Sequence, residues 1–468
     1  MKNKIIFPTL LLFITVMTGC QKFLDINENP NAAEEPPING LLANTTYTTA
    51  FNVFNVSDWT SYYTQYLASS SPGSDNDVYA DVNASGTWNA LYNTMTDIYD
   101  MKRFAGAKGL NAYVGIADIL MALHLNTASN VWGDIPYTDA FLGVSNITPV
   151  YNDQHAIYDT CIRLLDEGIA SLQLSSEDEE VDGPSDFIHA GDKSAWIKTA
   201  HALKARMLNQ LSKTASYDPA AVLSELSQAY TSNDDDAQVT SFAVRNPWAQ
   251  VAVNNAGLLL DGWMSSYFVN ATNGTTYGVF DPRLPLIASL TKYGDYRGTP
   301  NGKGRIGTGT EDEESYLPTD GWYSSTNSPL QIVTYSECKF LAAEASFRNN
   351  DKATAYASYL EGIRANMQKM GLPEDSINNY VNNPVISVGE GSITLQLIMK
   401  EKYVACFLSP VTWDDMRRLD YQYKDFTLPV NAVINTFIRR MNYPTVELST
   451  NGGNVPTVSV TDPLWWDQ

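Results

Sequence analysis

Apolar residues recur at steps of three and four through several long stretches of the chain. In NAYVGIADILMALHLNTASN (111–130), Ile116 and Leu120 fall on one face of a helix with 3.6 residues per turn. The same spacing continues through 156–172 and 194–211. Alternation with a period of two, typical of a half-buried strand, is scarce. The pattern therefore predicts an all-α fold.

A longer stretch, YSECKFLAAEASFRNNDKATAYASYLEGIRANMQKMG, predicts a pair of helices. The first is expected to end near Arg348, Asn-Asn-Asp at 349–351 to turn the chain, and the second to carry Tyr356 and Tyr359. Three alanines between 342 and 345 stand where the two helices must approach closely. Length and small-residue placement are those of a tetratricopeptide-type helical hairpin, although the full consensus is absent.

The remaining chain divides into shorter periodic stretches and one long irregular segment. Further helices are predicted at 86–105, 219–230 and 392–408 and around 430–440. Residues 232–334 are rich in Gly, Asn, Thr and Tyr and contain little periodicity. A connection of this length is unusual inside a compact domain, and long loops on a rigid scaffold commonly carry binding residues. We predict one α-helical domain, 38–468, with a loop-rich insertion at 232–334.

The amino-terminal residues have the layout of a secretory signal peptide. Two lysines precede an apolar run from 5 to 17, which is too short and wrongly flanked for a membrane span. Thr18 and Gly19 then precede Cys20, an arrangement that resembles a bacterial lipobox, with Met17 where leucine is usual. We predict a signal peptide at 1–19, acylation (palmitate or a similar chain) of Cys20, and a tether at 20–37. The alternative is a cleaved signal followed by an incidental cysteine.

Charge and cysteine usage exclude several classes of protein. Lys and Arg number 30 against 52 Asp and Glu, giving a net charge of −22. Such a charge repels nucleic acid and anionic lipid, and no basic stripe relieves it. Cys161, Cys338 and Cys406 lie in apolar segments without CxxC spacing. They are predicted to be buried free thiols.

No motif for catalysis or for a resident metal is complete. The four histidines form no HExxH, no GxSxG elbow occurs, and the glycines around Lys303 lack the length and Ser/Thr of a phosphate loop. Acidic clusters at 177–180, 234–236 and 311–314 lack the order of a calcium loop and are expected to be solvated faces. We predict no catalytic residue, no metal and no cofactor; calcium binding stays open, as does an unrecognised glycosidase acid pair.

The segment WDDMRRLD (413–420) permits two interpretations. Asp414 with Arg417, and Asp415 with Arg418, stand one helical turn apart and can pair across it. Trp413 would then be buried beneath the turn. A catalytic aspartate pair is the alternative, and we favour the structural ion-paired turn.

Polar aromatic residues are the most promising binding chemistry, with 27 Tyr and 10 Trp. Their rings can stack on sugar faces while the hydroxyl or indole N–H contacts the sugar edge. The candidates outside clear helical cores are Tyr79, Trp263, Tyr267, Tyr316, Trp322 and Tyr323, of which we expect half to pack internally. Trp88 and Tyr92 have helical spacing and are predicted to be core.

Several phrases together resemble one family. In order they are KFLDINENPN, NVWGDIPYTDAF, TPVYNDQHAIYDTCIRLLDEGIASL, GDKSAWIKTAHALKARML, DPRLP, AEASF, WDDMRRLD and RRMNYPTVEL. Their order and spacing are similar to those of the SusD/RagB family of nutrient-binding outer-membrane lipoproteins, in its SusD-like branch. Within NVWGDIPY, Gly133 is expected to end its helix in a left-handed conformation and Pro136 to prevent continuation.

The resemblance implies tetratricopeptide-like helix pairs on one side and a loop-rich ligand surface on the other. It implies a SusC-like TonB-dependent β-barrel as partner, an oligosaccharide or peptide as ligand, and no catalysed reaction. It also implies that Trp88 and the turn at 132–136 are architectural. The expected function is capture of a nutrient at the cell surface; a glycoside hydrolase and a protein-binding helical scaffold are the alternatives.

Overall fold

The computed structural model describes residues 35–257, 261–307 and 312–468. Cys20, the predicted signal peptide and most of the predicted tether lie outside the described residues. One compact unit covers Ile38–Gln468. None of the helices in the described ranges is apolar over the length needed to cross a bilayer.

Helices dominate this unit. They are α1 (Ile38–Tyr63), α2 (Ser85–Lys108), α3 (Asn111–Trp132), α4 (Gln154–Leu174), α5 (Lys193–Gln210), α6 (Pro219–Leu226), α7 (Pro247–Ala256), α8 (Ser266–Thr272), α9 (Leu284–Ile287), α10 (Tyr335–Arg348), α11 (Lys352–Lys369), α12 (Glu374–Val381), α13 (Leu395–Ala405), α14 (Val411–Arg418) and α15 (Thr445–Thr450). The strands are β1 (Leu67–Ala68), β2 (Ile135–Pro136), β3 (Tyr151–Asn152), β4 (Ala237–Val239), β5 (Trp263–Met264) and β6 (Leu330–Val333). The strands form three two-stranded antiparallel ladders, β1–β5, β2–β3 and β4–β6. The predicted all-α class is confirmed.

Consecutive helices pack as antiparallel pairs, most extensively α3 with α4 and α10 with α11. Glycine permits the closest approach. A Cβ on Gly115 would lie 2.7 Å from the carbonyl oxygen of Gly168, and one on Gly168 would lie 3.0 Å from that of Gly115. In the second pair, Gly362 lies against the ring of Phe340. The chain turns at Asn349–Asp351, as predicted, and Asp351 caps α11.

The longest helix, α1, was not predicted, because much of its buried face is polar. Thr45, Thr46 and Thr49 are buried, and each hydroxyl donates to the carbonyl oxygen four residues earlier, at 2.6 to 2.8 Å. Internal bonding of this kind allows hydroxyl groups to be buried without external partners. The 3.6-residue period is present, but polar residues occupy about half of its buried positions.

The helix predicted around 430–440 is wrong. Its backbone bonds to other segments rather than to its own preceding turn: Arg439 N–H donates to Val460 and Met441 N–H to Val131. Asn431 has a φ of 61°, which interrupts a right-handed helix at its start. The predicted helices at 219–230 and 392–408 exist but are shorter, as α6 and α13.

Two local predictions are confirmed, and a third, at Gly133, is corrected. Trp88 is buried and stacks on Tyr92 with ring centroids 4.7 Å apart. The thiols at 161, 338 and 406 are buried and free. Gly133 ends α3 with φ 87° and ψ −119°, a conformation that suits glycine but lies outside the expected left-handed helical region.

The loop-rich segment is closed at its base. β4 and β6 pair with each other, so the chain leaves and returns at nearly the same place. Between them stand α7, α8, α9 and β5, with irregular backbone connecting these short elements. Residues 232–334 therefore contain short elements within irregular backbone, and β5 pairs with β1, the strand that follows α1.

Candidate functional site

Four of the six aromatic candidates are buried. Tyr79, Trp263, Tyr267 and Tyr323 are 1%, 2%, 7% and 4% exposed. Tyr79 packs on Tyr63, Tyr267 on Phe426 and Tyr323 on Phe407, with ring centroids 4.8 to 5.7 Å apart. These rings offer no free face to a ligand in this structure, and we withdraw them from the candidate set.

Tyr316 and Trp322 keep part of their rings exposed. Tyr316 contacts Trp263 edge-on at 5.5 Å, and Trp322 contacts Tyr323 at 4.6 Å. The backbone N–H of Trp322 donates to Leu286 at 2.7 Å, which fixes the position of that loop. These two rings remain candidates.

A cleft with two other tyrosines was not predicted from the sequence. It has a volume of about 420 Å³ and is lined by Tyr277, Thr394, Gln396, Leu397, Gln422, Tyr423 and Lys424. We call it the tyrosine cleft. Three separate segments form it: the turn after α8, the start of α13 and the chain after α14. No periodic pattern joins them, but two tyrosines in non-helical, Gly- or Gln-rich stretches (NGTTYG and YQYK) are a weak sequence signal.

The cleft deepens into a smaller space, which we call the pit. The pit measures about 80 Å³ and adds Leu395, Met399 and Leu419 to the lining. Met399 is 2% exposed, and the two leucines are half-buried. The cleft thus has a polar and aromatic mouth above an apolar floor.

Hydrogen bonds hold the segments in place. Thr394 caps α13 by accepting from the Leu397 N–H, and the Lys424 ammonium donates to the Thr276 carbonyl at 2.7 Å. After α14, Asp420 and Tyr421 both have positive φ, 51° and 56°, which reverses the chain toward the cleft. The cleft is therefore built from fixed backbone.

The polar groups at the mouth are available for a ligand. The side-chain amides of Gln396 and Gln422 are exposed and have no hydrogen-bond partner among the described residues. The hydroxyl oxygen of Tyr423 also lacks a partner within that part of the chain, but it is buried and is not exposed at the mouth. Burial raises the pKa of Tyr277 to about 12 and that of Tyr423 well above its usual range, so both hydroxyls are neutral. Neutral donors and acceptors beside aromatic rings suit a sugar.

Among the residues that the structure describes, none with an acidic side chain lines the cleft. A glycosidase needs two carboxylates on opposite sides of the scissile bond. Carboxyl groups with pKa values raised to about 6 by burial, Asp58, Asp77, Asp118 and Asp414, all lie elsewhere.

The predicted ion-paired turn in WDDMRRLD is confirmed. Asp414 and Arg417 are 2.5 Å apart, Asp415 and Arg418 are 2.7 Å apart, and Trp413 is buried. These charges stabilise α14.

The acidic clusters are only in part the solvated faces that were expected. Residues 177–180 are largely exposed, whereas Asp236 and Glu314 are buried, at 4% and 2% exposure. Asp235 pairs with Lys198 and Asp236 with Lys369. In the described ranges, no three potential metal ligands cluster.

The chain matches the family model described as SusD-like, starch-binding and associating with the outer membrane, over residues 30–444. No curated protein matches the chain.

Solved structures resemble this fold throughout its length. A SusD/RagB family protein from Bacteroides thetaiotaomicron VPI-5482 has a TM-score of 0.75 at 22% identity, over 92% of this chain and 99% of that one. A chitin-binding SusD homolog from Flavobacterium johnsoniae has a TM-score of 0.76 at 20% identity, over 91% and 98%. A SusD homolog from Bacteroides uniformis ATCC 8492 has a TM-score of 0.75 at 20% identity, over 92% and 99%. At these identities the structures establish the fold. Because the family model covers most of the chain, the protein belongs to the SusD-like family, as its motifs predicted.

Proposed function

We propose that this protein is a lipid-anchored binding protein of the cell surface. It captures an oligosaccharide in the tyrosine cleft and delivers it to a SusC-like TonB-dependent transporter in the outer membrane. The observation that carries the proposal is the cleft itself, where two tyrosines and two amides without a partner in the described ranges line one space of sugar size. The starch-binding description of the family and the chitin-binding neighbour support a glycan over a peptide.

Titration calorimetry with a panel of oligosaccharides tests capture. By analogy with bases that stack on aromatic residues, Tyr277→Ala and Tyr423→Ala should each weaken binding by ~1–3 kcal/mol. Tyr293→Ala is the matched control, because Tyr293 is an exposed tyrosine of the loop-rich segment outside the cleft. Equal losses in all three variants, or turnover of any oligosaccharide, would contradict the proposal.

Tyr316 and Trp322 remain proposed contacts outside the cleft. If the Trp322 ring stacks on the bound sugar, Trp322→Ala should weaken binding by ~1–3 kcal/mol. Unchanged affinity in that variant would assign the ring to loop packing against Tyr323.

The anchor is proposed at Cys20, which lies outside the described residues. Acyl chains on this cysteine would hold the protein on a membrane without a spanning helix, since each buried methylene contributes ~0.8 kcal/mol. Cys20→Ala is expected to give folded protein in the soluble fraction. Continued membrane association of this variant would count against the anchor.

An exposed apolar loop supports a protein partner. Leu142, Val144, Ile147 and Val150 are 48%, 98%, 76% and 51% exposed. No charged residue occurs between Ala140 and Asn152, although the chain as a whole is strongly acidic. Uncharged apolar surface of this kind suits contact with another protein. We propose that this loop contacts the transporter.

Co-purification from the native membrane tests the contact. A variant with both Val144→Asp and Ile147→Asp should lose the barrel. Val433→Asp, at a comparably exposed valine elsewhere, should keep it. Retention of the barrel by the double variant would remove the apolar loop from the interface.

A further inference from the structure

The pit beneath the tyrosine cleft points to the chemical class of the sugar. We infer that the cleft selects sugars that carry an acetamido group, with the methyl of that group in the pit. The inference rests on the proposed function, since it concerns the same cleft.

The size and lining of the pit restrict what can enter. Its volume of about 80 Å³ is small beside the 420 Å³ of the cleft, so it takes a smaller group than the cleft does. Leu395, Met399 and Leu419 form its apolar floor. A hydroxyl placed there would lose its hydrogen bonds to water without replacement. The pit therefore accepts a small apolar substituent of a sugar.

The mouth of the pit requires hydrogen-bonding groups next to that apolar end. Gln396 and Gln422 line both the cleft and the pit, and each amide offers donors and an acceptor. The Tyr423 ring lines the pit beside them, while its hydroxyl oxygen is buried. An acetamido group matches this arrangement, because its methyl is apolar while its N–H donates and its carbonyl accepts.

Other small substituents match less completely. A 6-deoxy methyl or an O-methyl group fills the pit but offers no donor. An O-acetyl group accepts hydrogen bonds but cannot donate one. A carboxylate could pair with the Lys424 ammonium at the mouth, but it has no methyl for the apolar floor. Only the acetamido group uses the floor and both kinds of amide group, donor and acceptor, together.

Matched tetrasaccharides test the inference by calorimetry with the purified protein. Chitotetraose and cellotetraose share their β-1,4 linkages and differ at C2, which carries an acetamido group in one and a hydroxyl in the other. We expect chitotetraose to bind at least tenfold more tightly. Equal affinities, or a preference for cellotetraose or for an oligouronate, would overturn the acetamido inference and leave glycan capture intact. Absence of binding to every glycan in the panel would overturn the proposed function.

A variant in which a larger side chain fills the pit tests whether the preference for chitotetraose arises there. Leu395→Phe is expected to bring the ratio of the two affinities close to one, and Leu419→Phe serves the same purpose if the first variant does not fold. Leu223→Phe, at a half-buried leucine of α6 outside the cleft, should keep the wild-type ratio. A preference for chitotetraose that persists in a folded pit variant would place the acetamido group elsewhere and overturn the inference.

Discussion

The helical hairpins and the loop-rich segment fix their backbones by different means. In the hairpins, apolar residues recur every turn and glycines such as Gly115 and Gly168 let helices touch. In the loop-rich segment, individual buried polar side chains hold irregular backbone. Asn246, for example, is fully buried and donates to the Ser328 carbonyl at 2.7 Å. A periodic pattern can be recognised in a sequence, whereas the partner of a single buried polar residue cannot.

A network of buried charges joins the two regions. Arg283, at 0% exposure, binds Asp281 through two nitrogens at 2.9 and 2.6 Å and Glu401 of α13 at 2.5 Å. Tyr380 of α12 donates to both carboxylates, and Lys400 pairs with Glu401. Two cations and two anions balance in this network. It attaches the loop-rich segment to the hairpins in one orientation.

A second buried network lies entirely among helical residues. Glu344 of α10 binds Arg418 and Arg348, and it accepts from Asn209 of α5 at 2.9 Å. Burial alone would raise the pKa of Glu344, but Arg418 and Arg348 hold it well below its usual range. Buried charge is therefore used in both regions, and what differs is whether apolar periodicity accompanies it.

Removing the Arg283 charge, which joins the two regions, should give the largest loss in the free energy of unfolding. Arg283→Met leaves Asp281 and Glu401 buried without their guanidinium partner, which is expected to lower the free energy of unfolding by ~3–5 kcal/mol. Urea denaturation measures this loss. Hydrogen exchange should show the weakest protection in 262–307.

Arg297→Met provides the control in the same segment. Arg297 pairs with Asp295 at the surface, where water screens the pair. The unfolding midpoint of the Arg297→Met variant should therefore match that of the wild type. Equal midpoints for the two variants would mean that Arg283 does not join the regions.

The pH dependence of stability should report on the hairpins. Burial lowers the pKa of His124, in α3, to about 4. Between pH 6.5 and 4 the unfolded chain binds this proton and the folded chain does not, so stability falls as pH falls. The loss amounts to roughly 3 kcal/mol over this window.

Carboxyl groups with raised pKa act in the opposite direction. Asp118, on the same helix, has its pKa raised to about 6 by burial, so it favours the folded state as the pH falls below that value. Comparing wild type with His124→Gln cancels this contribution. The difference in unfolding free energy should shrink by roughly 3 kcal/mol between pH 7 and pH 4. A difference that is constant with pH would mean that His124 is protonated in the fold.

The same contrast explains what the sequence could reveal. The apolar period predicted α3, α4, α5 and the α10–α11 hairpin, and the i to i+3 charge spacing predicted the pairs of α14. The period failed for α1, whose buried face contains threonines. It also failed around 430–440. Ile438 and Met441 are buried there, although this part of the chain is not helical.

The candidate site was harder to predict than the fold. Aromatic composition indicated sugar-binding chemistry but not which rings stay accessible. Tyr79 and Tyr323 look identical in sequence to Tyr277 and Tyr423, and only tertiary packing distinguishes them. Tyr277 and Tyr423 are separated by 146 positions by their residue numbers, so their meeting in one cleft depends on how the loop-rich segment is attached to α13.

A substitution at Asp77 tests how a single buried polar residue fixes the position of a loop. Its carboxylate is buried and accepts from the Asn301 amide and the Gly302 N–H, both at 2.5 Å, and from the Ser69 N–H at 3.2 Å. Asp77→Asn turns one acceptor into a donor that faces another donor, with an expected loss of ~1–3 kcal/mol.

Hydrogen exchange locates that effect. Faster exchange should appear in 69–77 and 301–304, while α3 and α4 keep their protection. Uniform loosening of the whole protein would mean that the loops and hairpins unfold as one unit. That result would weaken the distinction between the two regions.

A pair of glycine substitutions gives the smallest effects and a change of sign. Gly115→Ala places a methyl 2.7 Å from the Gly168 carbonyl oxygen and the Leu172 side chain, so α3 and α4 must separate. Such overpacking is expected to lower stability by ~1–3 kcal/mol.

Gly106, near the end of α2, has nothing within 4 Å of its Cβ position, and its φ is not positive. Gly106→Ala should therefore raise stability by ~0.5–1 kcal/mol, because alanine restricts the unfolded chain. Thermal unfolding of the two variants compares them directly, and a gain in both would show that helix propensity, not the contact between hairpin helices, decides the outcome.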